Sequence, residues 1–184
     1  MKTVHILSID WDFFVALFRP SQLTDTAPTR TSGCWFELDP SYRSFWKRVR
    51  VVRGAPLVWD IHHSALSGLR RSGTEPFPSA THVVSFDAYH DGGYFDQPTG
   101  LYNHDWTAAY PCVEVILPQW RPLTGEEYPP LVSLLQMNDD GYREFPGPFA
   151  GVFICRSDDR TPKESHDAFQ EFLALAPEPV GQCN

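Results

Sequence analysis

Short apolar runs rich in β-branched and aromatic residues recur along this chain, separated by stretches with helical or turn-forming signals. The runs occupy residues 4–10, 57–61, 83–86, 112–117 and 150–155. Strands that alternate with helices pair in parallel through crossovers, and a parallel sheet must be covered on both faces. The expected architecture is α/β: a mainly parallel sheet with helices on both faces. With 184 residues the chain is long enough for one such core and short for two. It has no internal repeat and no linker-like stretch, so residues 1–184 are expected to form a single domain.

Between the runs, Asp39-Pro40 reads as a helix start, with Asp as N-cap and Pro at N1. Tyr42, Phe45, Trp46 and Val49 follow at helical spacing as its apolar stripe. Residues 64–71 read as a short helix with Leu66 and Leu69 inward, and residues 104–110 as another. Pro129-Pro130 introduces residues 131–136, read as helical. Thr161-Pro162-Lys163-Glu164 has the form of a capping box ahead of a helix whose apolar face is Phe169, Phe172, Leu173 and Ala176. Residues 19–37, rich in Pro, Thr, Ser and Gly, read as one long loop of the kind that often serves as a lid or binding loop.

The formal charge of −8 and a pI near 5.2 argue against nucleic acid as a partner, because phosphate binding needs a basic face. No apolar run approaches the ~18 residues of a membrane span, and the N-terminus enters a strand pattern at once, without a signal-peptide h-region. Cys34, Cys112, Cys155 and Cys183 are scattered without CxxC pairing. Cys112 and Cys155 fall inside predicted strands, where reduced core cysteine is usual. These features lead to the expectation of a cytoplasmic protein without a disulfide framework or a membrane partner.

Three of the apolar runs end in ligand-type residues. Asp10 and Asp12 follow the first, His62 and His63 the second, and Asp87, His90 and Asp91 the third. In a parallel sheet these ends share one edge, the edge where such sheets bind ligands. Four carboxylates cannot lie ionised together without a compensating cation. Carboxylates with one or two imidazoles suit Mn²⁺ or Mg²⁺, whereas structural zinc favours thiolates. The plain alternative for each group singly is a polar strand exit, a helix cap or a core histidine. A further alternative comes from Asp10-x-Asp12, which also resembles the opening of haloacid-dehalogenase-like phosphatases, with Asp158-Asp159 as a second acid pair. There Phe13-Phe14 stands where that family carries a small turn.

The segment Ser85-Phe86-Asp87-Ala88-Tyr89-His90-Asp91 resembles the Asp-Ala-His-x-Asp motif of the arginase (ureohydrolase) superfamily. Ser8-Ile9-Asp10-Trp11-Asp12 resembles its Ser-x-Asp-x-Asp motif, which arginases carry late in the chain and this chain carries first. The order Asp-x-Asp, His-His, Asp-Ala-x-x-Asp is closer to a small arginase-related family that opens with an Ile-Asp-x-Asp-Phe-Phe strand. Within it the resemblance points to the peptide arginases of ribosomal natural-product pathways. The likeness in element order covers most of the chain; the specific motifs span a small part of it.

That resemblance implies a three-layer arginase/deacetylase-like fold, a Mn²⁺ site of one or two ions, and hydrolysis of arginine side chains in a precursor peptide to ornithine and urea. Asp10, Asp12, Asp87 and Asp91 match metal-binding carboxylates, and His62 or His63 matches the histidine of the neighbouring strand, with His62 slightly favoured. Tyr89 stands where the superfamily has a ligand histidine, and His90 follows it. Either His90 replaces that ligand, or one metal is held weakly, or the site is mononuclear as in the related deacetylases. The implied chemistry is attack of a metal-held hydroxide on the guanidinium carbon, with Asp91 as proton shuttle and His90 beside it. Asp60, Asp105, Glu126 and Asp158 are candidates to hold the guanidinium. A small-molecule C–N hydrolase of the same superfamily is the second reading, and a homo-oligomer that completes the pocket is a further expectation.

Overall fold

The computed structural model describes residues 4–18, 29–31, 34–73, 82–89, 106–118, 120, 132–136, 148–177 and 181–182. The strands are β1 (His5–Asp10), β2 (Val15–Phe18), β3 (Thr29–Thr31), β4 (Cys34–Leu38), β5 (Leu57–Asp60), β6 (His82–Phe86), β7 (Val113–Leu117), β8 (Val132–Gln136), β9 (Val152–Cys155) and β10 (Gly181–Gln182). Among the described residues there are also two α-helices, α1 (Ser64–Ser72) and α2 (His166–Ala174), and several 3₁₀ turns. Seven strands form one sheet in the order β10–β5–β9–β1–β6–β7–β8. Every neighbouring pair in it is parallel, so the expected α/β sheet is present with β1 in its interior.

Strand alternation sorts the core into two clusters. Leu7 and Ile9 of β1, Val84 and Phe86 of β6, and Val152 and Ile154 of β9 pack with Trp11, Phe14, Phe45, Phe169 and Phe172. Ile6, Val83, Val115, Phe153 and Cys155 pack instead with Leu66, Trp106 and Tyr110. Helix α2 therefore covers one face, and α1 with the 3₁₀ turn Trp106–Ala109 covers the other. Helix α1 stops at Gly73, whose φ of 70° is the left-handed conformation that suits glycine at a helix end.

Several local expectations are corrected. Of the stretch 131–136 read as helical, the described residues 132–136 form a strand: β8 pairs in parallel with β7 from Val113↔Val132 to Leu117↔Gln136. The open edge of β7 offers non-local hydrogen bonds that outweigh the local Pro-Pro start signal. The 19–37 stretch is not wholly a loop, because β4 pairs antiparallel with both β2 and β3 in a three-stranded sheet. Phe36 on the central strand β4 is buried in the core, and this apolar anchor is what the polar composition of the stretch conceals. Residues 19–28 and 32–33 of that stretch lie outside the described residues.

The segment after Asp39 forms two 3₁₀ turns, Pro40–Arg43 and Phe45–Lys47, rather than an α-helix. Asp39 still caps it, accepting the Ser41 N–H at 2.8 Å. In a 3₁₀ turn residues i and i+3 eclipse, which sets Tyr42 and Phe45 together against Phe14. The capping box at Thr161 does not form: Pro162 precedes a 3₁₀ turn, Lys163–Ser165, and α2 begins at His166. The Thr161 hydroxyl donates instead to the Arg156 and Ser157 carbonyls at 3.0 and 2.9 Å. Cys112 lies just before β7 and is exposed, whereas Cys155 is a buried free thiol, as expected. No helix among the described residues is long and apolar enough to cross a membrane.

Candidate metal centre

The same local device ends three of the parallel strands. At the end of β1, Asp10 Oδ1 accepts the Asp12 N–H at 3.1 Å. After β6, Asp87 Oδ1 accepts the Tyr89 N–H at 2.7 Å. At the end of β5, Asp60 Oδ1 accepts the His62 N–H at 3.1 Å. An aspartate that bonds the backbone two residues on bends the chain out of the sheet and holds its own carboxyl at the turn. On β1 the bend starts the 3₁₀ turn Trp11–Phe14, which swings Asp12 back inward. Asp12 Oδ1 then accepts the Ala88 N–H at 3.1 Å, tying the exits of β1 and β6 together.

The result is a set of buried acids. Asp10, Asp12 and Asp87 are 3%, 4% and 1% exposed, and each offers an oxygen within 4.8 Å of the others. His63, also 1% exposed, lies over them. Its Nδ1 is 3.1 Å from Asp10 Oδ2 and 3.5 Å from Asp87 Oδ2, and its Nε2 is 2.6 Å from Ser8 Oγ. The imidazole is stacked against Trp106, with centroids 4.4 Å apart and planes 13° apart, and against Phe153 at 5.7 Å. These rings fix its plane and screen it from water. The tautomer in which Nε2–H donates to Ser8 Oγ turns the Nδ1 lone pair toward Asp10 and Asp87, which is the arrangement a metal ligand needs.

Two further groups join from β9 and the residues just after it. Cys155 pairs in register with Asp10 and, by alternation, faces the same side of the sheet. Asp10, His63 and Cys155 form a second set whose ligand atoms lie within 4.8 Å of one another. Burial, with the charges of Asp10, Asp12 and Asp87, raises the Cys155 thiol well above its usual pKa. As a thiol it contacts the Ile61 carbonyl at 3.7 Å. Ser157 sits at φ 56°, a conformation uncommon for a residue with a side chain, and its hydroxyl donates to Asp10 Oδ2 at 3.2 Å. A strained residue that fixes a ligand carboxylate is a recurrent feature of functional sites. Beside it, the buried Arg156 guanidinium lies 5.3 Å from the Phe169 ring and reaches Thr161 and Asp158. Burial lowers its pKa, and Asp158 leads the groups that oppose that shift.

A trio of buried carboxylates with an imidazole fits a divalent cation, since close like charges are otherwise costly. Of the residues singled out in the sequence, Asp10, Asp12 and Asp87 are brought together. The histidine beside them is His63 and not His62. The Asp60 turn spends its bend on the His62 amide, and His62 is half-buried outside both ligand sets. His63 comes one residue later, where α1 begins, and is carried over Asp10. Asp60 is half-buried outside the same sets, and Asp158, exposed, faces Arg156 at 3.5 Å. Asp159 is exposed too. Tyr89 is half-buried with the Arg160 guanidinium 5.0 Å from its ring centroid. His90, Asp91, Asp105 and Glu126 lie outside the described residues.

The sequence motifs do not single out Cys155, Ser157 or the contact of Ser8 with His63. Alternation along β9 is a signal that finds Cys155, because it places the sulfur on the face of Asp10. For Ser157 the sequence has no comparable signal, since only its backbone conformation sets it apart. No family model, curated protein or solved structure matches the chain.

Proposed function

We propose that the chain is a divalent-metal-dependent hydrolase that converts arginine side chains of a precursor peptide to ornithine and urea. The observation that carries the metal half is the meeting of Asp10, Asp12 and Asp87 with His63 at one sheet edge. The reaction half rests on the likeness of residues 8–12 and 85–91 to arginase-superfamily motifs, and with it the reading of the sheet and its two helical coverings as a three-layer arginase/deacetylase-like fold. A bound divalent ion, Mn²⁺ for the carboxylate set, supplies Lewis acidity and lowers the pKa of water.

The chain's own residues do the rest. Asp10, Asp12 and Asp87 supply hard oxygen donors, and His63 supplies a nitrogen oriented by Ser8. Ser157 holds Asp10 in place, and Trp106 and Phe153 keep water from the imidazole. Asp91, by its place in the motif, is assigned the proton transfer to the departing amine, with His90 beside it.

The test is metal analysis and calorimetry with Mn²⁺, followed by mass spectrometry of an arginine-containing peptide. The expected results are saturable Mn²⁺ binding lost in Asp87→Ala, and loss of CH₂N₂ from the peptide. Absence of divalent-cation binding overturns the whole reading. Cation binding with an unchanged mass of the precursor peptide overturns the reaction half alone.

A further inference from the structure

The ligand-type groups at the sheet edge are not one uniform set. They fall into two overlapping sets that share Asp10: Asp10, Asp12 and Asp87 on one side, and Asp10, His63 and Cys155 on the other. The first is all oxygen. The second joins oxygen, nitrogen and sulfur, and donor softness discriminates between first-row ions.

We propose that Cys155 is a metal ligand, and that with Asp10 and His63 it forms the softer half of a two-part cation site, selective for Zn²⁺ or Co²⁺ over Mn²⁺. This rests on the reading of the sheet edge as a divalent-cation site and specifies its donors. A buried cysteine in a strand is ordinarily core filling. Here its position is set by the sheet: the register Asp10↔Cys155 places the sulfur beside the carboxylate that both halves share. Its sulfur lies within 4.8 Å of that carboxylate and of an imidazole nitrogen, whereas a filler needs only apolar neighbours. The polar lining continues on the adjacent strand, where Ser85, in register with Ser8, is fully buried. Its Oγ has no hydrogen-bond partner among the described residues, and by alternation it faces the same side as Asp87. Among the described residues this hydroxyl is left over, as expected of a pocket built around a further group.

Binding exchanges a proton for the ion. The Cys155 Sγ–H bond breaks, its electron pair is donated to the cation, and the proton passes to solvent, so metal uptake releases acid. The contact with the Ile61 carbonyl is given up. Asp10 belongs to both sets, so it would be available to an ion held on either side.

The experiment is a titration of the full chain with Co²⁺, read by absorption. The wild type is expected to show an intense near-ultraviolet sulfur-to-cobalt band. Cys155→Ser is expected to lose the band while still binding Co²⁺, and to weaken Zn²⁺ by about 10-fold or more with a smaller change for Mn²⁺. Cys112→Ser is expected to keep the band. As a readout needing no variant, X-ray absorption of the Zn²⁺-loaded wild type is expected to show a sulfur neighbour at about 2.3 Å. Cation binding without a sulfur signal, or a band that survives Cys155→Ser, overturns the proposal and leaves the cation reading standing. Absence of any divalent-cation binding overturns both.

Discussion

The two faces of the parallel sheet are made by alternate residues of the same strands, yet they are built for different ends. Toward α2, the strands present Leu7, Ile9, Val84, Phe86, Val152 and Ile154 to a mass of aromatic rings. Trp11 alone has ring contacts with Phe14, Tyr42, Phe169 and Phe172, at centroid distances from 5.4 to 5.6 Å. Its indole N–H donates to Ser165 Oγ at 3.1 Å. Toward α1, the same strands start apolar, with Ile6, Val83 and Phe153, and become polar as they approach the carboxyl edge: Ser8 then Asp10, Ser85 then Asp87, Phe153 then Cys155. Apolar burial stabilises the first face. On the second, buried acids without a cation cost stability, and natural sites accept such costs for function. One face holds the fold together, so the other is free to hold charge.

That contrast can be broken at either face. The largest effect is expected from Trp11→Ala, which removes the centre of the aromatic cluster and should cost about 3–5 kcal/mol in denaturant unfolding. Divalent-cation affinity of the molecules that remain folded should be unchanged. A loss of affinity as large as that of a ligand variant would show that the faces are not separable.

Next comes Asp10→Asn, which should behave in the opposite sense. Cation affinity is expected to fall by about 100-fold, while the metal-free protein gains stability of about 1 kcal/mol because one of three adjacent buried charges is gone. Calorimetry with Mn²⁺ and thermal melts in chelator measure the two arms. A destabilised metal-free protein would mean that the carboxylate serves the fold and not a cation.

A smaller effect is expected from Ser8→Ala. Without a partner at Nε2, the His63 tautomer is no longer held, and cation affinity should drop by about 10-fold with little change in melting temperature. An unchanged affinity would remove His63 Nδ1 from the ligand set.

The smallest effect lies far from the carboxyl edge, at the amino end of the strands. Burial, with a further push from His5 and an opposing pull from Glu114, lowers the His82 imidazole below its ordinary pKa. The folded state then binds this proton less readily than the unfolded chain. Its contribution to stability is complete above about pH 6.5 and is lost as pH falls through the unfolded value toward the folded one. His82→Gln should flatten the acid limb of the melting-temperature profile in that window and leave cation affinity unchanged. A profile identical to wild type would show that His82 is not the group responsible.

Much of this arrangement was legible in one dimension. Short apolar, β-branched runs at residues 4–10, 83–86 and 150–155 identify the strands, and their interleaving with helical signals implies a parallel sheet. An acid at the end of a strand in such a sheet is committed to one edge, so Asp10, Asp12 and Asp87 were bound to come near one another. These are consequences of backbone geometry, which local sequence carries.

Tertiary structure decided what depends on where a chain turns and what lies beside it. His62 and His63 are indistinguishable neighbours until the Asp60 turn and the start of α1 set which one overhangs Asp10. Pro129-Pro130 reads as opening a helix over residues 131–136, and pairing with the edge of β7 makes residues 132–136 a strand instead. Cys155 is an ordinary core cysteine until register places it beside Asp10 of β1, a carboxylate from the opposite end of the chain, and Ser157 is an ordinary serine until its backbone turns left-handed. Face and edge follow from a period of two along one strand. Register, neighbour and exit angle follow from pairing between distant segments, and that pairing is where the sheet turns scattered acids into a candidate metal centre.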